Sequence, residues 1–219
     1  LNRKDRELLD ETERPPALSL DEVDHLVADG ALLLDGREAE AFAWGHLAGA
    51  VNVPLDGRYA EYAGSVVPSD KDIVLVVDEG FEVEAKNRLA RIGFDRVVGY
   101  LPEAVRVMAE HPERVRQASR LTVADLEARR AELDELQLVD VRNPGEIQLG
   151  TIVGSVPIAV GQLPARLDEL DADRPTVVFC AGGYRSSVAA SLLRRAGFSD
   201  VSDLVGGYDA WAEAAPVSA

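Results

Sequence analysis

The chain has 219 residues, room for one large domain or two small ones, and 47% of them are hydrophobic, enough for a packed core. A formal net charge of -16 excludes a nucleic-acid partner, whose phosphates demand a basic surface, and is read as solubilising surface charge. No apolar run approaches the ~20 residues of a membrane span, no secretory signal is expected, and one cysteine forms no internal disulfide, so a reduced, cytoplasmic setting without membrane contact is expected.

The chain repeats itself, and its elements are clearest when read as two copies. "LLLDGREAEAFAWGHLAGAVNVPL" (32–55) lines up with "LQLVDVRNPGEIQLGTIVGSVPIAV" (136–160), pairing Asp35 with Asp140, Arg37 with Arg142, Gly45 with Gly150 and Gly49 with Gly154. In the first copy Ser19 and Glu22 make a capping box ahead of a helix whose Val23, Leu26 and Val27 share a face. A buried strand "ALLLD" follows, then a strand "DIVLVV" leading into a helix "EVEAKNRLARIG" that stops at Gly93. "AVRVMAEHPERVRQASR" (104–120) reads as a helix and polar connector. In the second copy Thr122 and Asp125 cap the first helix, "LQLVDV" and "TVVF" are strands, and "SSVAASLLRRAG" is a helix starting near Ser186 and ending at Gly197. Strands alternating with helices predict α/β architecture: two tandem domains, each a mostly parallel sheet flanked by helices. The expected boundaries are 17–103, a connector at 104–120, and 121–216.

Chemistry concentrates in the stretch "PTVVFCAGGYRSS". Cys180 ends a strand, where ligands of open α/β sheets bind. Two glycines let successive N–H groups turn inward as an anion nest, the helix N-terminus adds positive potential, and Arg185 adds a charge. Such a setting favours the thiolate, the nucleophilic form of cysteine. A lone cysteine is also commonly a small buried hydrophobe; the Gly-Gly turn, the arginine and the strand-to-helix junction favour the nucleophile. The candidate site is therefore Cys180 as catalytic residue, with Ala181, Gly182, Gly183, Tyr184, Arg185 and Ser186 as the substrate cradle. His25, His46 and His111 stand far apart, so neither a metal nor another cofactor is expected.

"CAGGYRS" resembles the active-site loop of the rhodanese family, in its C-x-x-G-x-R-S form. "DVRNPGEIQLGTIVGSVPI" is similar to that family's D-V-R-x-x-x-E stretch and the G-H-I-x-G-A-x-N that follows it, departing at Thr151 for His and Pro157 for Asn. The first copy, "GHLAGAVNVPL", keeps both, and "LVGGYDAW" matches the family's GG-x-x-x-W close. The resemblance implies a sulfurtransferase: Cys180 takes a sulfane sulfur from a small anionic donor such as thiosulfate or a persulfide, holds it as a persulfide and passes it to a thiol or cyanide. The rival is a cysteine phosphatase of the cell-cycle type, whose loop resembles H-C-x5-R; here only four residues separate Cys180 from Arg185, and Phe179 precedes the cysteine.

The first copy reads as catalytically inactive. "VDEGFEVE" puts Asp78 in place of the cysteine, in a loop about two residues shorter, with Glu79, Glu82 and Glu84 adding charge that repels an anion. Asp35 with Arg37 and Asp140 with Arg142 are expected as structural ion pairs or turn caps, His46 as a turn-stabilising residue, and Trp44 and Trp211 as packing residues. Tyr184 is expected to shape the pocket rim, and Arg194 with Arg195 to form a basic patch or a solvated face. Tandem pairs with an inactive first copy also resemble the C-terminal half of fusions to a metallo-β-lactamase-fold domain, an idea that the non-Met start and charged leader "LNRKDRE" suit. The alternative function is thus a persulfide relay or docking module for a metal-dependent partner domain of persulfide dioxygenase type.

Overall fold

The computed structural model describes residues 11–133 and 135–214; the leader 1–7 and the expected domain end at 215–216 lie outside them. The first copy runs α1 (Leu20–Ala28), β1 (Leu32–Asp35), α2 (Ala39–Trp44), β2 (His46–Leu47), β3 (Val51–Asn52), α3 (Tyr59–Val66), β4 (Ile73–Val76), α4 (Glu82–Ala90) and β5 (Val97–Tyr100). Next come α5 (Ala104–Glu110), β6 (Val115–Arg116) and β7 (Ser119–Leu121). The second copy runs α6 (Val123–Glu132), β8 (Gln137–Asp140), α7 (Pro144–Ile147), β9 (Val156–Pro157), β10 (Thr176–Phe179), α8 (Tyr184–Arg195), β11 (Val201–Leu204) and α9 (Gly207–Ala214).

Four-residue strands that are wholly or mostly apolar and buried along their whole length suit a sheet covered on both faces. The first sheet has the order β3-β1-β4-β5 and the second β7-β11-β10-β8-β9, with every neighbouring pair parallel. Both capping boxes form: Ser19 with Glu22 opens α1, and Thr122 with Asp125 opens α6. Gly93 and Gly197 adopt φ of 92° and 97° just beyond α4 and α8, the left-handed turn that ends a helix and disfavours other residues.

The connector is more ordered than a helix with a polar tail. Beyond α5, β6 pairs antiparallel with β2, and β7 becomes the edge strand of the second sheet. The first copy has a matching edge: Ala17 bridges to Tyr100, with Tyr100 N–H donating to Pro16 at 2.9 Å and Leu18 N–H to Tyr100 at 2.9 Å.

The two copies share one core. A single buried cluster joins Leu34, Val51 and Leu75 of the first copy to Val139, Ile158, Val178, Cys180 and Val188 of the second. Area removed from water on this scale is the dominant stabilising term of the fold. Polar ties cross the same seam: the Asn52 N–H donates to Ser191 Oγ at 2.9 Å, and Arg195 Nη1 to the Gly49 carbonyl at 2.8 Å. Trp211 packs on the second copy's outer core as expected, but Trp44, the last residue of α2 and also expected to pack, is 74% exposed. No helix among the described residues is long and apolar enough to cross a membrane, and no group of three or more metal-ligating side chains is found among them.

Candidate active site

Cys180 follows β10 directly, and α8 begins at Tyr184, two residues earlier than expected, with Gly183 as its N-cap at φ 106°. That left-handed cap turns the Gly183 N–H back onto the Cys180 sulfur, 3.1 Å away. Ser186 Oγ lies 3.6 Å from the sulfur and donates to the Gly183 carbonyl at 2.9 Å, holding the first turn of α8 against the loop. The sulfur therefore sits at a helix N-terminus, where backbone N–H groups and the helix dipole favour negative charge.

The loop is held from behind by the Gly206-Gly207 turn. The Tyr208 N–H donates to the Cys180 carbonyl at 2.7 Å and the Asp209 N–H to the Ala181 carbonyl at 3.1 Å. Turning these carbonyls toward α9 leaves the other side of the loop to N–H groups. Gly207 has φ 58°, and a Cβ there would run into both carbonyl oxygens, so only glycine allows the approach. Tyr208 is positioned in turn by Arg142, whose guanidinium lies 4.0 Å from its ring centroid. Arg142 is fixed by Asp140 at 2.7 Å, by the Gly150 carbonyl at 2.7 Å, and indirectly by Thr151 Oγ1, which donates to Asp140 at 2.7 Å. Thr151 thus replaces histidine while still holding the turn. In the first copy Arg37 repeats the pattern, reaching Asp35 at 2.6 Å and Gly45 at 2.9 Å, and His46 Nδ1 donates to Phe42 at 2.9 Å with its ring stacked on that phenyl. Both ion pairs are structural, as expected.

Arg185 was expected to present its charge to an incoming anion. Both terminal nitrogens instead meet Glu146, each at 2.6 Å. The bidentate contact holds the Glu146 carboxyl well below its ordinary range, at about 2, and pushes the Arg185 guanidinium up, with Glu146 the leading cause and the neighbouring Cys180 charge a further one. Arg185 is therefore a clamp between the start of α8 and α7 as well as a source of positive potential. Glu146 itself occupies the acidic position of the D-V-R-x-x-x-E pattern, a signal already in the sequence.

The first copy roofs the site. Tyr184 Oη donates to the Pro54 carbonyl at 2.5 Å, its ring lies 5.4 Å from that of Tyr62, and a Cβ on Gly57 would collide with it. Tyr184 is a tie between the copies as much as a rim. Cys180 is left 1% exposed.

The corresponding position of the first copy needs correction. Asp140 pairs with Phe179 and Asp35 with Val76, so Val77, not Asp78, occupies the cysteine's place. Val77 stands twelve positions before Leu89, and Cys180 thirteen before Leu193, the two leucines accepting equivalent helix-ending bonds from Phe94 and Phe198; the first loop is one residue shorter, not two. Glu82 does not charge this loop as expected: it is buried, paired with Arg14 at 2.5 Å, and accepts the Gly80 N–H. Asp78 lines a cleft of about 300 Å³ with Glu38 and Asp56, and burial, followed by the hydrogen bond that the protonated Glu38 carboxyl donates to Asp56, raises the Glu38 pKa.

The rhodanese-like domain model matches residues 19–113 and again 122–214. The chain is 37% identical over 87 residues to a sulfurtransferase of Allochromatium vinosum, covering 40% of this chain and 81% of that protein. It is 39% identical over 83 residues to the thiosulfate sulfurtransferase GlpE of Shewanella oneidensis, covering 38% and 82%. An uncharacterized protein of Bacillus subtilis, YqhL, is 38% identical over 82 residues, covering 37% of this chain and 65% of its own length. With matches to both of its copies and a cysteine cradle in the second, the chain belongs to the rhodanese family as two rhodanese-like domains in tandem.

Proposed function

We propose that the chain is a rhodanese-type sulfurtransferase in which Cys180 carries the sulfur. The thiolate attacks the outer sulfur of thiosulfate, the S–S bond of the donor breaks, and sulfite leaves with the electron pair. The terminal sulfur of the resulting persulfide is then attacked by an acceptor thiolate or cyanide, which takes it and returns the Cys180 thiolate. The observation carrying this reading is the Gly183 N–H aimed at the sulfur at 3.1 Å from the left-handed cap of α8. A donor so placed stabilises charge on the thiolate and on the persulfide alike.

A phosphatase reading is disfavoured, because Arg185, the group that would grip a phosphoryl oxygen, is held in both hands by Glu146. The burial of the sulfur favours a second form of the same chemistry, in which the persulfide is relayed to a docked partner domain that opens the Tyr184 tie. A cytoplasmic setting and a low-molecular-weight thiol acceptor belong to the proposal.

Intact mass spectrometry after incubation with thiosulfate tests it. The wild-type chain gains one sulfur, cyanide removes it, and Cys180→Ser gains none. An adduct that persists in Cys180→Ser, or none with either thiosulfate or glutathione persulfide, would sink the assignment. Turnover of an aryl phosphate that depends on Cys180 would restore the phosphatase.

A further inference from the structure

At the opposite end of α8 from Cys180, the seam between the copies opens into a cleft of about 420 Å³. Arg194 and Arg195 close α8 there, and Arg116 enters from β6 of the connector. Gly183 caps one end of the helix and Arg194 stands eleven residues on, so this cleft lies roughly 16 Å along the axis from the sulfur cradle at 1.5 Å per residue. It is a separate site.

The cleft is cationic in a chain of net charge -16. Arg194 Nη2 donates to the Val201 carbonyl at 2.9 Å, Arg195 Nη1 to Gly49 at 2.8 Å, and Arg116 Nη1 to Val115 at 2.8 Å and Glu113 at 3.0 Å, all backbone oxygens. No carboxylate lies within ion-pair distance of any of the three among the described residues, whereas most arginines elsewhere in the chain have one. Of the acids nearby, Asp200 on the cleft wall is already bound by Arg129, and Asp203, which faces Arg194, by Arg120. The half-buried Arg194 is destabilised in its charged form by burial, and the adjacent His46, also on the wall, is pushed down to about 4 by burial and then by the surrounding arginines. His46 is therefore neutral and does not compete. Three guanidiniums lining one cleft, with Arg194 half-buried and Arg116 and Arg195 exposed, repel one another in the absence of a counter-charge, and an anion bound between them relieves that repulsion.

We propose that this cleft is a binding site for a phosphate-bearing small molecule that joins the two copies. Guanidinium forks match phosphate oxygens with paired, charge-assisted hydrogen bonds, which three separate arginines supply to a multiply charged group better than to a monoanion. Apart from the charged residues, Gln117, and His46, whose ring is already stacked on Phe42, the wall residues are alanine, glycine, serine and valine, so the cleft has no large apolar face for an uncharged ligand. Its volume leaves space beyond a single phosphate for a second phosphate or a polar organic part. Both copies contribute arginines or wall residues, so the occupant stabilises their junction.

Pyrophosphate is the first probe, titrated calorimetrically into the full chain and followed by thermal unfolding at constant ionic strength. Saturable one-to-one binding with a rising midpoint is expected, with inorganic phosphate weaker and acetate without effect. Arg116→Gln and Arg195→Gln should each weaken pyrophosphate by about tenfold, the loss of one charged hydrogen bond. Arg195 also ties α8 to Gly49; should its variant prove unstable, Arg116→Gln, whose bonds stay within its own segment, decides. Absence of saturable binding, or unchanged affinity in Arg116→Gln, overturns the site.

Discussion

The sulfur of Cys180 owes its surroundings to residues that never touch it. Gly207 is the plainest case: its φ of 58° and the two carbonyl oxygens pressed against its hydrogen leave no place for a side chain. Gly207→Ala is expected to destabilise the chain by about 1–3 kcal/mol, the cost of a strained backbone, and to reduce persulfide formation more than a remote substitution of equal cost. Equal unfolding midpoints in the two proteins would refute it. Glu146 makes a prediction in pH. Its folded pKa of about 2 lies below its ordinary 4.5, so the Arg185 clamp contributes fully above about pH 4.5 and is lost as pH falls toward 2. Denaturant titrations between pH 5 and 2 should show a steeper loss of stability in the wild type than in Glu146→Gln; identical slopes would mean that the clamp adds nothing. The cysteine and its loop were legible in the sequence because glycine pairs and lone thiols are conspicuous. The clamp was less so: an arginine beside a thiol reads as a ligand for substrate, and only the fold brings position 146 to it.

Among the elements, helices with side-chain caps were the easiest to place. Thr122 accepts the Asp125 N–H and Asp125 returns the bond to the Thr122 N–H at 2.9 Å, closing the start of α6. Thr122→Ala should cost about 1 kcal/mol in a denaturant titration, with the loop chemistry unchanged; a loss under a third of that would show the cap to be redundant. Where a loop changes length between the copies, the sequence alone leaves its register one residue off. Asp78 is a conspicuous charged residue of that loop, but sheet register is fixed by hydrogen bonds, and these make Val77 the equivalent of the cysteine. The short strands β6 and β7 were invisible for another reason. Two- and three-residue strands carry no periodicity, and their pairing is set by partners distant in sequence. A trace of the lost motif survives at α5: Glu103, its N-cap, keeps φ 48° where the second copy has Gly206, at φ 71°, just before α9.

On the scale of the molecule the duplication was readable, while the union of the copies was not. The hydrophobic residues that join Leu34 and Val51 to Val188 and Leu193 look, strand by strand, like the filling of two separate domains. Since one core spans both, calorimetry should give a single unfolding transition with calorimetric and van't Hoff enthalpies in agreement. Two resolved transitions would show that the copies fold apart. The edges of the sheets carry a further meaning. Each copy enters beside its own last strand, Pro16–Leu18 against β5 and β7 against β11, so its entry and exit are neighbours. A unit whose ends meet can be copied head to tail, excised, or rejoined in permuted order without cutting a strand inside a sheet. Gene duplication thus needed only the crossing from α5 to β7 to produce a second complete sheet, and that freedom left one copy able to lose its thiol while still roofing the other's.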